Sequence, residues 1–210
     1  ISFEEAASLP LAGLTALQSL EYADIKENDK VLIHAGSGGV GSFAIQYAKA
    51  KGAYVYTTTS TSNVEWVKAL GADRVIDYRK EEYKSIAKDV DIVFDTLGKN
   101  YSLESFEVVK KGGIVVSIVG PLDEASAKMF GMADYKLPEE LAKASSDKDA
   151  DYKFIFMHPN GDHLNKIKLM IEDEKIKPII DKIYPFSECI EAFEHLATGR
   201  AKGKIVIKIN

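Results

Sequence analysis

From residue 31 onward, short apolar, β-branched runs alternate with helical patterns. Val31–Ala35, Tyr54–Thr58, Arg74–Asp77, Asp91–Asp95, Ile114–Val119 and Tyr152–Met157 read as strands. The segments between the first five read as helices. Val40, Ala44, Ile45 and Ala48 share one helical face, Val64, Val67, Lys68 and Leu70 do so less cleanly, and Tyr101 to Val109 forms another candidate. Strand–helix alternation predicts a parallel sheet covered on both faces. Right-handed crossovers then give an α/β, doubly wound, six-stranded sheet of the Rossmann type.

Two stretches break the rhythm. Pro121–Asp151 is longer than an ordinary connection, with short helices expected over Asp123–Met132 and Pro138–Ala144, and Ser145–Asp149 is expected to be polar and mobile. The tail reads as a different unit. After an amphipathic helix over Asp162–Ile171, strands are expected at Lys177–Tyr184 and Lys204–Ile209. Between them a helix, Ser187–Ala197, should turn Ile190, Phe193, Leu196 and Ala197 inward. Two strands and a helix make no stable core alone, so this tail must dock on something. The chain accordingly divides into residues 1–176 and 177–210.

The first strand runs directly into Gly36-Ser37-Gly38-Gly39-Val40-Gly41, with a helix expected from Gly39 to Lys51. A glycine pattern of this kind carries weight only between a strand and a helix, which is where it stands. Gly36 is expected to allow the tight turn, Gly38 to let a pyrophosphate approach the backbone, and Gly41 to let the helix pack close to the strand. The helix N-terminus then offers unpaired N–H groups to phosphate oxygens. His34, just before the loop, reads as a locally hydrogen-bonded strand-end histidine, and Asp95 as a structural aspartate.

NAD-selective folds carry an acid about 20 residues past the first glycine, where it holds the ribose hydroxyls. Here that region is Tyr56 to Asn63, and no acid occurs until Glu65. The hydroxyls of Thr59, Ser60 and Thr61 can donate to a 2′-phosphate, and Tyr78 and Arg79 follow the neighbouring third strand. The expected cofactor is therefore NADPH, with NADH the less favoured alternative.

Composition narrows the partners. The net charge is −5, so the chain has no electrostatic reason to seek nucleic acid or an anionic membrane. There is no apolar run of transmembrane length. The lone Cys189 cannot form an internal disulfide and fits a reducing, cytoplasmic setting; it reads as a small buried hydrophobe. The start at Ile1, inside a helix pattern capped by Ser2, suggests further sequence upstream.

The residues quoted so far, with Glu4 to Ala16, Leu70-Gly71-Ala72-Asp73, Asp91 to Gly98, Lys110-Lys111-Gly112-Gly113 and Gly199 to Val206, resemble the zinc-free quinone oxidoreductase branch of the medium-chain dehydrogenase/reductase superfamily. That resemblance implies NADPH-dependent reduction of a quinone or of the C=C bond of an α,β-unsaturated carbonyl. It implies a GroES-like catalytic domain lying mostly upstream, to which residues 177–210 contribute a piece, and a homodimer joined along the edge strand Tyr152–Met157. It places Thr15 near the nicotinamide, Ser37 to Val40 at the pyrophosphate, and Ser60 and Tyr78 at the adenosine phosphate. Leu97-Gly98 and Val119-Gly120 fall beside the nicotinamide ribose. Several relatives have a lysine on the 2′-phosphate where this chain has Asn63, a loss that Arg79 would have to offset. Zinc-dependent relatives have a cysteine ligand where this chain has Leu11, so no metal is expected. No catalytic residue is assigned, and the substrate is a small molecule. The other readings are a zinc-type alcohol dehydrogenase, a non-catalytic NADPH-binding sensor, and a methyltransferase, against which the acid-free second strand end argues.

Overall fold

A computed structural model describes residues 1–209. The chain opens with two helices, α1 (Phe3–Ser8) and α2 (Pro10–Tyr22). Ser2 and Glu5 form a reciprocal cap on α1, each side chain bonding the other's backbone N–H. Then β1 (Lys30–Ile33), α3 (Gly39–Ala50), β2 (Tyr54–Thr59), α4 (Val64–Ala69), β3 (Arg74–Asp77), the single turn α5 (Tyr83–Ile86) and β4 (Val90–Asp95) alternate as expected. They are followed by α6 (Asn100–Val108) and β5 (Val109–Ser117). Next come α7 (Glu124–Met129), α8 (Glu139–Lys148), β6 (Asp151–Phe154) and α9 (Gly161–Glu172). The tail comprises β7 (Ile180–Pro185), α10 (Cys189–Ala197) and β8 (Lys204–Lys208).

Six strands form one parallel sheet in the order β3-β2-β1-β4-β5-β6. Period-two alternation divides each strand between two cores. Val31 and Ile33 point with Phe43, Ile45 and Ile167 into the layer under α2, α3 and α9, whereas Leu32 points with Tyr83, Phe106 and Leu141 into the opposite layer. Both faces are thus covered, which is why these strands are apolar runs rather than alternating ones.

Ser145–Asp149 is not a loose segment. Leu141 is buried, and α8 continues through Ser145 and Lys148 until Asp149 adopts a left-handed conformation (φ 52°). The Ser145 hydroxyl donates to the Ala150 carbonyl, closing the helix end. Packing against the sheet overrides the polar composition.

The tail forms a separate two-stranded parallel sheet of β7 and β8, and α1 packs against it. Gln46 of α3 anchors it, accepting from the Lys177 N–H and donating to the Lys177 carbonyl. In α10 the expected inward face is reversed. Ala192 is the buried residue, while Ile190, Phe193 and Leu196 are 69%, 65% and 57% exposed. Ala197 is exposed too, and Cys189 is half-buried rather than buried. Periodicity locates an apolar stripe but does not say which side of the helix finds a cover.

Candidate functional site

The turn out of β1 places Ala35, not Gly36, in the left-handed region, at φ 50°. Gly36 serves a different purpose: a Cβ there would stand 2.1 Å from the Thr57 Oγ1 and 2.8 Å from the Ile45 Cδ1. Gly41 behaves as expected, since its Cβ would lie 2.3 Å from the Ala35 carbonyl oxygen. Gly38 caps α3 without a side chain, and an added Cβ there would be in ordinary contact with the Ala35 carbonyl oxygen at 3.5 Å. Gly39 lies under the tail, against Lys204, and Val40 packs into the core.

Beside this loop lies a cleft of about 680 Å³, within the usual range for a cofactor site. It opens at the carboxyl ends of the strands, next to the point between β1 and β4 where the strand order reverses. Ser37, Ser60, Asn63, Tyr78, Arg79 and Leu97 all line it, although they come from four separate loops. Ser60 follows β2 and accepts from the Asn63 amide, and the Asn63 carbonyl accepts from the Trp66 indole. Tyr78 and Arg79 follow β3, and the Arg79 N–H donates to the Asp77 carboxylate.

Gly98 and Val119-Gly120 form a neighbouring ridge outside the lining. Gly98 has φ 64°, and a Cβ there would meet the Val119 carbonyl at 2.7 Å. Asp95 holds these loops together. Its Oδ1 accepts from the N–H groups of Leu97 and Gly98, and its Oδ2 from the hydroxyls of Ser102 and Ser117. Ser117 in turn accepts from the Gly120 N–H. The aspartate is fully buried and structural, as expected. Thr15 stands outside the cleft, within α2, its hydroxyl donating to the Leu11 carbonyl.

His34 also matches its reading. It is fully buried beneath the cleft, bonded through Nδ1 to the Thr58 hydroxyl at 3.2 Å, with Tyr83 and Tyr101 packed around its ring. Burial pushes its imidazole down to about 4, against the opposing pull of Asp95.

Sequence reasoning missed a fifth segment. Gly199, Arg200, Ala201 and Lys202 of the tail line the cleft together with Ser60 and Arg79. They are held there by the Gly203 N–H donating to the Ser37 carbonyl at 2.9 Å, and Gly38 and Gly203 form a strand-like bridge. The motif was visible, as was its positive charge, but its proximity to a loop more than 150 residues earlier was not. Arg79, Arg200 and Lys202 make no ion pair among the described residues, and no carboxylate lines the cleft. Thr59, which also lines it, has a buried hydroxyl without a hydrogen-bond partner. A helix N-terminus, three free cations and several hydroxyls fit a dinucleotide.

Residues 70–207 match the family model described as zinc-binding dehydrogenase. The chain is 36% identical over 211 residues to 2-methylene-furan-3-one reductase of Solanum lycopersicum, covering 99% of this chain and 47% of that protein. It is 35% identical to the chloroplastic NADPH-dependent alkenal/one oxidoreductase of Arabidopsis thaliana, with 99% and 47% covered. It is 34% identical to the mitochondrial NAD(P)H oxidoreductase RTN4IP1 of Homo sapiens, with 100% and 56% covered. Among solved structures, the quinone oxidoreductase from Coxiella burnetii superposes with a TM-score of 0.85 at 36% identity, covering 100% of this chain and 62% of that one. The chain thus spans about half the length of the curated relatives it matches. The family match, the six-stranded sheet and the glycine loop agree: this chain belongs to the zinc-binding dehydrogenase family of the medium-chain dehydrogenase/reductase superfamily, among relatives that are quinone and enone oxidoreductases.

Proposed function

We propose that the cleft binds NADPH and that the protein to which this chain belongs reduces a quinone or the C=C bond of an α,β-unsaturated carbonyl. The observation that carries this reading is the cation-lined, carboxylate-free cleft abutting the glycine loop. The cofactor would supply the hydride; the chain's own residues bind and orient it. The N-terminus of α3 and Ser37 would receive the pyrophosphate. Ser60, Asn63, Tyr78 and Arg79 would receive the adenosine phosphate, with Arg200 and Lys202 supplying the charge that Asn63 lacks. Leu97, Gly98, Val119 and Gly120 would border the nicotinamide ribose, and Thr15 the nicotinamide beyond the cleft. The activities named for the tomato and Arabidopsis relatives support the substrate class.

The exposed stripe of α10 supports a tail that belongs to a larger catalytic unit. Leu11, in place of a metal-binding cysteine, supports zinc-independent chemistry; a chelator should leave turnover of the full-length protein unchanged. A reducing compartment fits the lone cysteine. The cytoplasm was the first expectation, and the relatives' names add chloroplast and mitochondrion, which fractionation would distinguish. Fluorescence titration of this chain tests the cofactor: NADPH should bind at least about tenfold more tightly than NADH, or about 1.4 kcal/mol. Equal or tighter NADH binding overturns the reading. A full-length protein that binds NADPH but turns over neither quinones nor enones would make this a sensor.

A further inference from the structure

After β5 the chain turns through Val119, Gly120 and Pro121, the ridge beside the cleft. Gly120 has no side chain, so what this ridge presents is largely backbone, and its position is set by whatever holds that backbone. Two anchors do so. The first comes from β5 itself: the Gly120 N–H donates to the Ser117 hydroxyl at 2.8 Å, and that hydroxyl donates in turn to the buried Asp95. The second comes from β6. Pro121 has no N–H, and its carbonyl accepts from the Tyr152 hydroxyl at 2.7 Å.

Tyr152 does not line the cleft. It pairs with Val115 in the register of β5 and β6, and its ring packs into the layer that holds Phe106 and Leu141. Its hydroxyl ends beside Gly120. A Cβ on that glycine would stand 2.6 Å from the Tyr152 oxygen, 2.4 Å from the Ser102 Oγ and 2.8 Å from the Ser117 Oγ, so only a glycine lets the three hydroxyls close up against the loop. Ser102 and Ser117 both donate to the Asp95 Oδ2, whereas Tyr152 directs its proton to the loop. We propose that Tyr152 is a positioning residue for the nicotinamide half of the cofactor, acting from β6 through Pro121 on the Val119–Gly120 ridge. This rests on the reading that the ridge borders the nicotinamide ribose. Held only at the Gly120 N–H, the loop would pivot about that bond; a second bond one residue further on removes that freedom. Hydride transfer depends on such placement of the reacting ring. The adenosine end of the cleft is built by the loops after β2 and β3, to which the Tyr152 hydroxyl makes no bond among the described residues. The effect is therefore confined to one half of the ligand.

Titration of this chain with NADPH and with adenosine 2′,5′-bisphosphate, which lacks the nicotinamide ribose, tests this. Tyr152→Phe removes one hydroxyl. It should weaken NADPH binding about fivefold and leave bisphosphate binding within about twofold of the parent. Equal weakening of both ligands, or of neither, overturns the proposal. Ser117→Ala releases the same loop at Gly120 and should shift the ratio of the two affinities in the same direction; a ratio equal to the parent's also overturns it. Tyr47→Phe removes a buried hydroxyl bonded to Glu21, at the other end of α3 from the glycine loop. It should lower the melting temperature and leave the ratio at the parent's value; a ratio that shifts there follows stability, not position, and overturns the proposal. A parent chain that binds neither ligand overturns the cofactor reading as well, whereas a parent that binds both, with an unchanged ratio in Tyr152→Phe, overturns the role of Tyr152 alone.

Discussion

The two sheets of this molecule solve the same problem unequally. The six-stranded sheet is covered on both faces, and its central strands are buried except at Lys30 and Asp91. The two-stranded tail sheet is covered by α1 and by the small face of α10, leaving Ile190, Phe193 and Leu196 in solvent. Yet the tail supplies one wall of the cleft, through Arg200 and Lys202. The difference teaches that the cleft stands on a rigid side, built by close packing, and on a second side held by a few hydrogen bonds.

Substitutions should separate the two sides sharply. The largest effect is expected at Gly41, where a side chain would overlap the Ala35 carbonyl. Gly41→Val should destabilise the chain by more than about 4 kcal/mol in urea unfolding and abolish cofactor binding. Asp95→Ala leaves four donors without their acceptor. It should cost about 3 to 4 kcal/mol, partly recovered by Asp95→Asn.

His34 gives the rigid side a pH signature. Its folded value is near 4, below the unfolded 6.5, so the unfolded chain takes up the proton first. Stability from this group is present in full above about 6.5 and falls as pH drops toward 4, by an amount on the order of 3 kcal/mol. A His34→Gln variant, compared with the parent by thermal melts across that window, should show a flatter acid slope.

On the tail side the effects are smaller and of another kind. Arg200→Ala should weaken NADPH binding about tenfold, close to 1.4 kcal/mol, while NADH binding and the melting temperature hardly move. Equal loss for both cofactors would place Arg200 at the pyrophosphate instead. The smallest effect is expected at Phe193. Phe193→Asp should change this chain's stability by less than about 0.5 kcal/mol, because the side chain is 65% exposed. A larger loss in the longer protein than in this chain would show that the stripe is covered there.

Much of this was legible in the chain. The strands stood out because parallel, doubly covered strands are uninterrupted apolar runs. The glycine loop stood out because its chemistry is local, and Asp95 and His34 were read correctly from their place at strand ends. Besides the tail's part in the cleft, three features were not legible. The extension of α8 through Ser145 and Lys148 depends on packing against the sheet, which polar composition hides. The orientation of α10 depends on which neighbours are present. The left-handed turn falls at Ala35, and the need for a glycine at 36 comes from Thr57 and Ile45, which lie on a neighbouring strand and helix.

The sequence by itself determined the parallel sheet, the glycine loop and the acid-free end of β2, because each is set by residues close together in the chain. Only the tertiary structure decided which distant segments reach the cleft and the last strand of the sheet. Arg200 and Lys202 reach the glycine loop through Gly203 bonding Ser37, and Asp123 and Ser126 reach Phe154 across the whole of α8. Backbone groups at a loop or an edge take the nearest partner in space, and no local pattern records which distant segment supplies it.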